Sequence, residues 1–255
     1  MKNELSALLV IWHREMLRYM RNRTRILTSL LQPLLFLAIF GSGLRQSLSG
    51  PGVGGDFLKF MYPGIVAMGI MGMAMTSAIS IVWDREFGFL KEILVAPVAR
   101  TTIAFGKAIG GTSTALIQAV LLLALTPFLG IRLTAVDLAE LLGLGALLSF
   151  AVSGLGILVA SRMRSVESFG LVMQFVLFPM FFLSGAFFPL QRTPPWMRLL
   201  TRANPLAYGV DAFRGVLLGA HSPALLRSVP ENVAWLVGFS VVFMTLAVWQ
   251  FRRMD

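Results

Sequence analysis

The chain of 255 residues has no cysteine and only two histidines, His13 and His221. No cysteine means no disulfide framework, no thiolate metal site and no cysteine nucleophile. No cluster of His, Asp and Glu has metal-site spacing. Neither histidine stands where a Ser–His pair can form within one site, which excludes the usual hydrolase arrangement. There is no GxxxxGK[ST] phosphate loop. The nearest segment, FGKAIG from Phe105, lacks the preceding glycine and the following Ser or Thr. No cofactor or metal is therefore expected on this chain, and it is not expected to be an enzyme by itself.

Charge is also scarce, at 13% of residues. Acids and bases inside apolar runs mark ion pathways, and here Asp137, Glu140 and Glu167 all fall near run ends. The polar groups within the runs are neutral: Gln32, Gln118, Gln174 and the cluster Thr112, Ser113 and Thr114. Each reads as an interhelical hydrogen bond more readily than as a ligand contact. No internal repeat of the kind many secondary carriers show is evident.

What the chain does have is apolar length. Hydrophobic residues make up 56% and the mean hydropathy is +0.78. A bilayer crossing takes about 20 apolar residues. Runs near 26–44, 60–82, 103–129, 138–160, 169–188 and 233–251 meet that length. The expected fold is an all-α membrane protein with six transmembrane helices forming one domain over 26–255. Pro33 is expected to kink the first span. A Gly/Ser-rich turn precedes the second, and no cleavable signal peptide is expected.

Residues 1–25 read as an interfacial helix. Leu5, Leu8 or Leu9, Trp12, Met16 and Tyr19 form an apolar stripe, and Arg14, Arg18, Arg21 and Arg25 form a basic one. Such a helix lies in the headgroup region or packs, in the cytosol, on a protein partner. Lys107, near the start of the third span, is expected to snorkel to the surface. Gly106 and Gly110 make a GxxxG step suited to a close helix crossing.

A charged island, WDREFGFLKEILVAPVAR, separates the second and third runs. Trp83, Phe87, Leu90 and Leu94 recur at steps of four, three and four, one face of a helix that Pro97 ends. Two readings fit: a helix that merely links two spans, or one gripped by a partner in the water. From Pro189 to Pro230 prolines recur too often for a span, and short helices dipping into the outer leaflet are expected. The net charge of +10 gathers at span ends, which suits topology and anionic lipid rather than nucleic acid. Lys2, Arg14, Arg18, Arg21, Arg23 and Arg25 flank the first span. By the positive-inside rule both termini and the island face the cytoplasm of the cell inner membrane.

Two stretches, DREFGFLKEILVAPVAR and FFPLQRTPPWMRLLTRANPLAYGVDAFRG, resemble the ABC-2 family of ABC exporter permeases. The branch they are most similar to is that of the daunorubicin/doxorubicin-resistance efflux permeases. The likeness covers essentially the whole chain. It implies two permease chains, as a homodimer, above two copies of a separate ATPase that binds ATP and Mg. Trp83, Asp84, Arg85, Glu86, Phe87, Gly88, Phe89, Leu90, Lys91 and Glu92 then match the family's coupling helix, which sits in a cleft of the ATPase. The segment holding Trp12, Arg14, Arg18 and Arg21 matches its elbow helix.

The same resemblance puts the second and fifth spans along the path of the cargo. On them lie Met68, Met71 and Met75, and Gln174, Phe178, Phe181 and Phe182. Soft Met and aromatic surfaces adapt to varied apolar ligands, though such residues pack bundles equally well. Asn204, Pro205, Asp211 and Arg214 match an outer-gate segment, with Asp211 and Arg214 spaced for a local ion pair. The implied function is export of amphipathic small molecules. Polysaccharide or lipid-linked glycan export is the alternative, and an ATP-independent scaffold or channel a more distant one.

Overall fold

The computed structural model describes residues 2–43, 57–88, 98–190, 193–219, 222 and 225–253. All regular structure among them is helical. The chain runs α1 (Lys2–Arg21), α2 (Arg23–Gly43), α3 (Phe57–Ser77), α4 (Ile79–Glu86), α5 (Arg100–Leu123), α6 (Ala135–Ala160), α7 (Val166–Phe182), α8 (Pro195–Arg202), α9 (Pro205–Leu218) and α10 (Val229–Arg252). A short 3-10 turn, Thr126–Leu129, follows α5.

Helix starts follow local chemistry. Thr134 and Asp137 form a reciprocal capping box at α6. Ser165, Asn204 and Ser228 cap α7, α9 and α10 with their side-chain oxygens. At α5 the cap residue is Ala99, which has no such oxygen. Glu4 of α1 supplies it instead, accepting from Ala99 N at 3.0 Å and from the Thr102 hydroxyl. Thus α1 is fastened to the start of α5 by one backbone amide that the helix leaves unpaired and by one hydroxyl.

Four helical stretches are long and apolar enough to cross a membrane: Phe57–Glu86, Arg100–Leu123, Ala135–Ala160 and Val229–Arg252. The apolar stretches Ile26–Ile39 and Val166–Phe182 are shorter. This is a multi-pass membrane protein. Phe57–Glu86, which comprises α3 and α4, is central, with 78% of its most apolar window buried against 28% for α10. The core forms around Tyr62, Val66, Ile70, Met71, Met75 and Ile81.

The outer segment is more deeply set than its prolines foretell. Every residue of α9 is buried except Val216 and Leu218. It packs on α3, α6 and α10, and Gly209 lets Leu148 come so close that a Cβ there would sit 2.7 Å from it. By contrast α8 is a short surface helix with Trp196 and Leu199 exposed.

The charged island departs from a helix continuous over Trp83–Leu94. Asp84, Arg85 and Glu86 continue the long helix as the end of α4, and Gly88, at φ 79°, turns the chain away. Phe89, Leu90, Lys91 and Glu92 lie outside the described residues.

Candidate functional site

Two constructions share the helix Phe57–Glu86. The first is a buried charge junction at its C-terminal end. Lys107 on α5 donates to Glu15 Oε1 at 2.8 Å, to Asp84 Oδ2 at 2.9 Å and to Ser80 Oγ at 2.8 Å. All three ammonium donors are thereby engaged. Arg14 Nη2 donates to the same Asp84 oxygen at 2.8 Å. Lys107 and Asp84 are each 5% exposed, and Glu15 is 6%. Two cations face two anions, so the cluster is neutral, the condition under which buried charge is tolerated. Far from snorkelling, Lys107 is the hub that joins α1, α4 and α5.

The rest of α1 follows from that junction. Gly106 and Gly110 receive the helix, for a Cβ on them would meet Ile11 at 3.0 Å and Glu15 at 2.9 Å. Trp12 Nε1 donates to Ser113 Oγ at 3.0 Å, and Arg18 lies 5.2 Å above the Trp83 ring. Arg21 is exposed. The two stripes expected on this helix are therefore exchanged in part. Arg14, Glu15 and Arg18 face protein, while Leu5, Leu9, Val10 and Leu17 face outward. That arrangement suits a helix lying against lipid with its charges turned inward.

The end of α4 is also held inward. Arg85 Nη1 donates to Met163 O at 2.7 Å, and Glu86 accepts from Val166 N at 2.9 Å. Both contacts reach the turn between α6 and α7. Phe87 is left 80% exposed. Next to it a basic hollow is lined by Arg85, Arg162, Arg164, Arg253, Gln250 and Glu86.

The second construction is a cleft between α2, α3 and α7. Two adjoining hollows of about 350 and 380 Å³ share Gln32, Phe36, Met68, Thr76, Leu177 and Phe181. Met75, Gln174, Phe178 and Phe182 also line it. Six of the seven expected path residues therefore meet on one surface. The exception is Met71, fully buried inside the bundle and absent from the lining. The lining holds no acid, base or histidine, only the neutral polar groups of Thr28, Ser29, Gln32, Thr76 and Gln174. Gly72 on α3 keeps one wall flat, for a Cβ on it would meet nothing within 4 Å.

Gln32, Phe36 and Thr76 escaped the sequence reading as cleft residues. Gln32 stands out only as a polar residue one position before the Pro33 kink. Glu15 was missed in the junction, although it is one of only two acids on α1.

The outer segment corrects one expectation. Asp211 and Arg214 do not pair with each other. Asp211 accepts from Leu226 N, Arg227 N and Asn232 Nδ2 at 2.9 to 3.0 Å, which ties α9 to the start of α10. Arg214 Nη2 donates to Gly185 O at 2.9 Å and Phe60 O at 3.3 Å, its guanidinium 4.0 Å from the Phe60 ring. Asn204 donates to Met180 O at 2.8 Å while capping α9, whose first residue is Pro205. Together these groups lock α9 to α3, α7 and α10.

Sequence comparison places these features among known proteins. A family model described as ABC-2 type transporter matches residues 6–218. A transport permease named ycf38 from Cyanophora paradoxa is 30% identical over 229 residues, covering 88% of this chain and 78% of that protein. The inner membrane transport permease YadH of Escherichia coli K12 is 29% identical over 251 residues, 94% of each chain. The daunorubicin resistance ABC transporter permease protein DrrB1 of Streptomyces coeruleorubidus is 25% identical over 262 residues. The match covers 98% of this chain and 87% of that protein.

Proposed function

The chain belongs to the ABC-2 type transporter family, and from that premise we propose that it is the membrane permease subunit of an ATP-driven exporter of amphipathic small molecules. The observation that carries the cargo class is the cleft. Its walls are methionine and phenylalanine, with a few neutral amide and hydroxyl groups and no charge. Such a surface takes up an apolar body of variable shape and orients it by a few hydrogen bonds. The DrrB1 relative points the same way. A glycan would need hydrogen-bonding groups along its whole path, and those of this cleft are confined to Thr28, Ser29, Gln32, Thr76 and Gln174.

In this reading six crossings include α2 and α7, both termini face the cytoplasm of the inner membrane, and two chains meet along α7. Leu171, Phe175, Phe178 and Phe182 on that helix are exposed, Phe175 by 81%. That apolar face supports a homodimer seam. ATP and Mg are held by a separate ATPase. Phe87, exposed at the tip of α4, is the described anchor for that partner, since aromatics dominate interface energetics. Asp84, Arg85 and Glu86 carry the push inward through their contacts with α5 and the α6–α7 turn.

The test is reconstitution with the cognate ATPase subunit. Lipophilic cations and neutral amphiphiles should stimulate ATP hydrolysis by the complex. Gly72→Phe, which fills the cleft without a clash at its Cβ, should abolish stimulation and leave complex formation intact. Phe87→Ala should weaken the complex. Stimulation by glycans instead of amphiphiles would replace the cargo class. Failure of a folded permease to bind the ATPase would overturn the reading altogether.

A further inference from the structure

On the face of the bundle away from the cleft, α5, α6 and α10 leave a groove of about 560 Å³. It lies beside the extended contact of α10 with α6, whose buried face on α10 runs through Leu236, Ser240, Met244, Ala247 and Phe251. A Cβ on Gly154 would lie 3.1 Å from the backbone of Met244, so the two helices approach closely there. Phe105 on α5 and Phe150 on α6 form one wall, their ring centroids 6.2 Å apart. Met244 and Ser240 are the buried floor, and Val241, Val248 and Trp249 are the other wall. The groove faces outward on α10, the least buried of the four long apolar stretches.

Its two ends differ. At the C-terminal end of α10 the lining closes on Arg252. Arg253 lies 3.8 Å from the ring of Trp249, itself part of the lining. Arg100 Nη1 donates to Arg252 O at 2.7 Å, which brings a third guanidinium to this end and offsets the negative pole of the helix. Among the described residues no carboxylate lines the groove. An apolar slot of acyl-chain width, ending in several arginines at the level where a membrane helix leaves the hydrocarbon, has the chemistry of an anionic phospholipid. A second copy of the chain is a poor occupant. A two-fold axis along the membrane normal would bring its own arginines to the same end.

We propose that this groove binds one acyl chain of an anionic phospholipid, with the lipid phosphate held by Arg252 beside Arg100 and Arg253. The site needs only that α10 lies in the bilayer and is independent of the cargo cleft. A juxtamembrane basic residue favours an anionic headgroup roughly fivefold. The arginine cluster should therefore select phosphatidylglycerol over phosphatidylcholine by at least that factor.

Trp249 is a built-in reporter. The full-length chain would be reconstituted in vesicles containing dibrominated phosphatidylglycerol or dibrominated phosphatidylcholine. The share of tryptophan quenching that disappears in Trp249→Phe measures lipid in the groove. Quenching should favour phosphatidylglycerol by about fivefold or more. Arg252→Gln should lower that preference roughly fivefold, and Val248→Trp should remove Trp249 quenching by both lipids. Arg198→Gln, an exposed arginine on α8, serves as the control and should change nothing. Equal quenching of Trp249 by the two lipids overturns the proposal. So does a preference that Arg252→Gln leaves undiminished, or one that inorganic phosphate alone abolishes at matched ionic strength.

Discussion

The junction around Lys107 and the cleft around Gln32 are served by one helical stretch, Phe57–Glu86, yet they are built from opposite chemistry. At the junction three buried charges, Glu15, Asp84 and Lys107, and the half-buried Arg14 are paired at 2.8 to 2.9 Å. In the cleft no lining residue is charged. The junction is specific and rigid because each buried ion depends on its partner. The cleft is permissive because nothing in it demands a particular partner. One helix can thus receive a push at its charged end and present a forgiving surface along its length.

The sharpest way to break this contrast is to remove the hub. Lys107→Met leaves Glu15 and Asp84 buried with only Arg14 between them. The expected cost is about 3–5 kcal/mol, the usual penalty for stranding a buried charge. Thermal unfolding in detergent should show a large drop. Combining it with Glu15→Leu leaves the Arg14–Asp84 pair balanced and should restore most of the loss. If the double variant is no more stable than the single, the junction is not the neutral unit described here. The matching change in the cleft, Gln32→Leu, should cost less than about 1 kcal/mol.

The comparison sharpens with a single substitution made twice on α3. A Cβ at Gly64 would fall 2.4 Å from Ala186 Cβ and 2.7 Å from its Cα. Backbone must move, so Gly64→Ala should destabilise by roughly 1–3 kcal/mol. At Gly72, eight residues on, the same methyl meets open cleft. Gly72→Ala should be neutral or gain up to about 1 kcal/mol from helix propensity. Equal effects at the two sites would mean that the cleft is closed by packing that the described residues do not provide.

Much of this was readable from the chain alone. Apolar runs marked the four stretches long enough to cross a membrane. Met68, Met75, Gln174, Phe178, Phe181 and Phe182, which only the family resemblance put along one path, lie on one cleft. The direction of each charged side chain was not legible. A lysine one or two turns into an apolar helix has the same local pattern whether it snorkels or is buried in a pair. Lys107 is decided by Glu15, 92 positions away. The island was read as a helix of its own, with Trp83 and Phe87 on one apolar face. Its phase is in fact set by the long helix it ends, which buries Asp84 and leaves Phe87 outside. Asp211 and Arg214 sit one turn apart, but their partners lie on α10, on α3 and in the turn after α7, and no spacing rule finds those.

The mildest test concerns Glu4, where the junction helix meets the start of α5. The Thr102 hydroxyl and the Ala99 amide hold its carboxyl below the ordinary glutamate range. A carboxylate with a lowered folded pKa contributes its stability above the unfolded value, about 4.5. That contribution is lost as the pH falls through the folded value. Docking of α1 on α5 should therefore loosen as the pH falls below about 4.5 and stay constant from there to neutrality. The chain has no native cysteine, so a label at Ser6→Cys reports on α1 alone. Its mobility should rise in acid. In Glu4→Gln the mobility at neutral pH should already be higher and the acid step should vanish. A label at Gly170→Cys, in the titration-free cleft lining, should show no step in either background. An acid step that persists in Glu4→Gln would assign it to Glu15 or Asp84, and the junction rather than the cap would be the part of α1 that responds to pH.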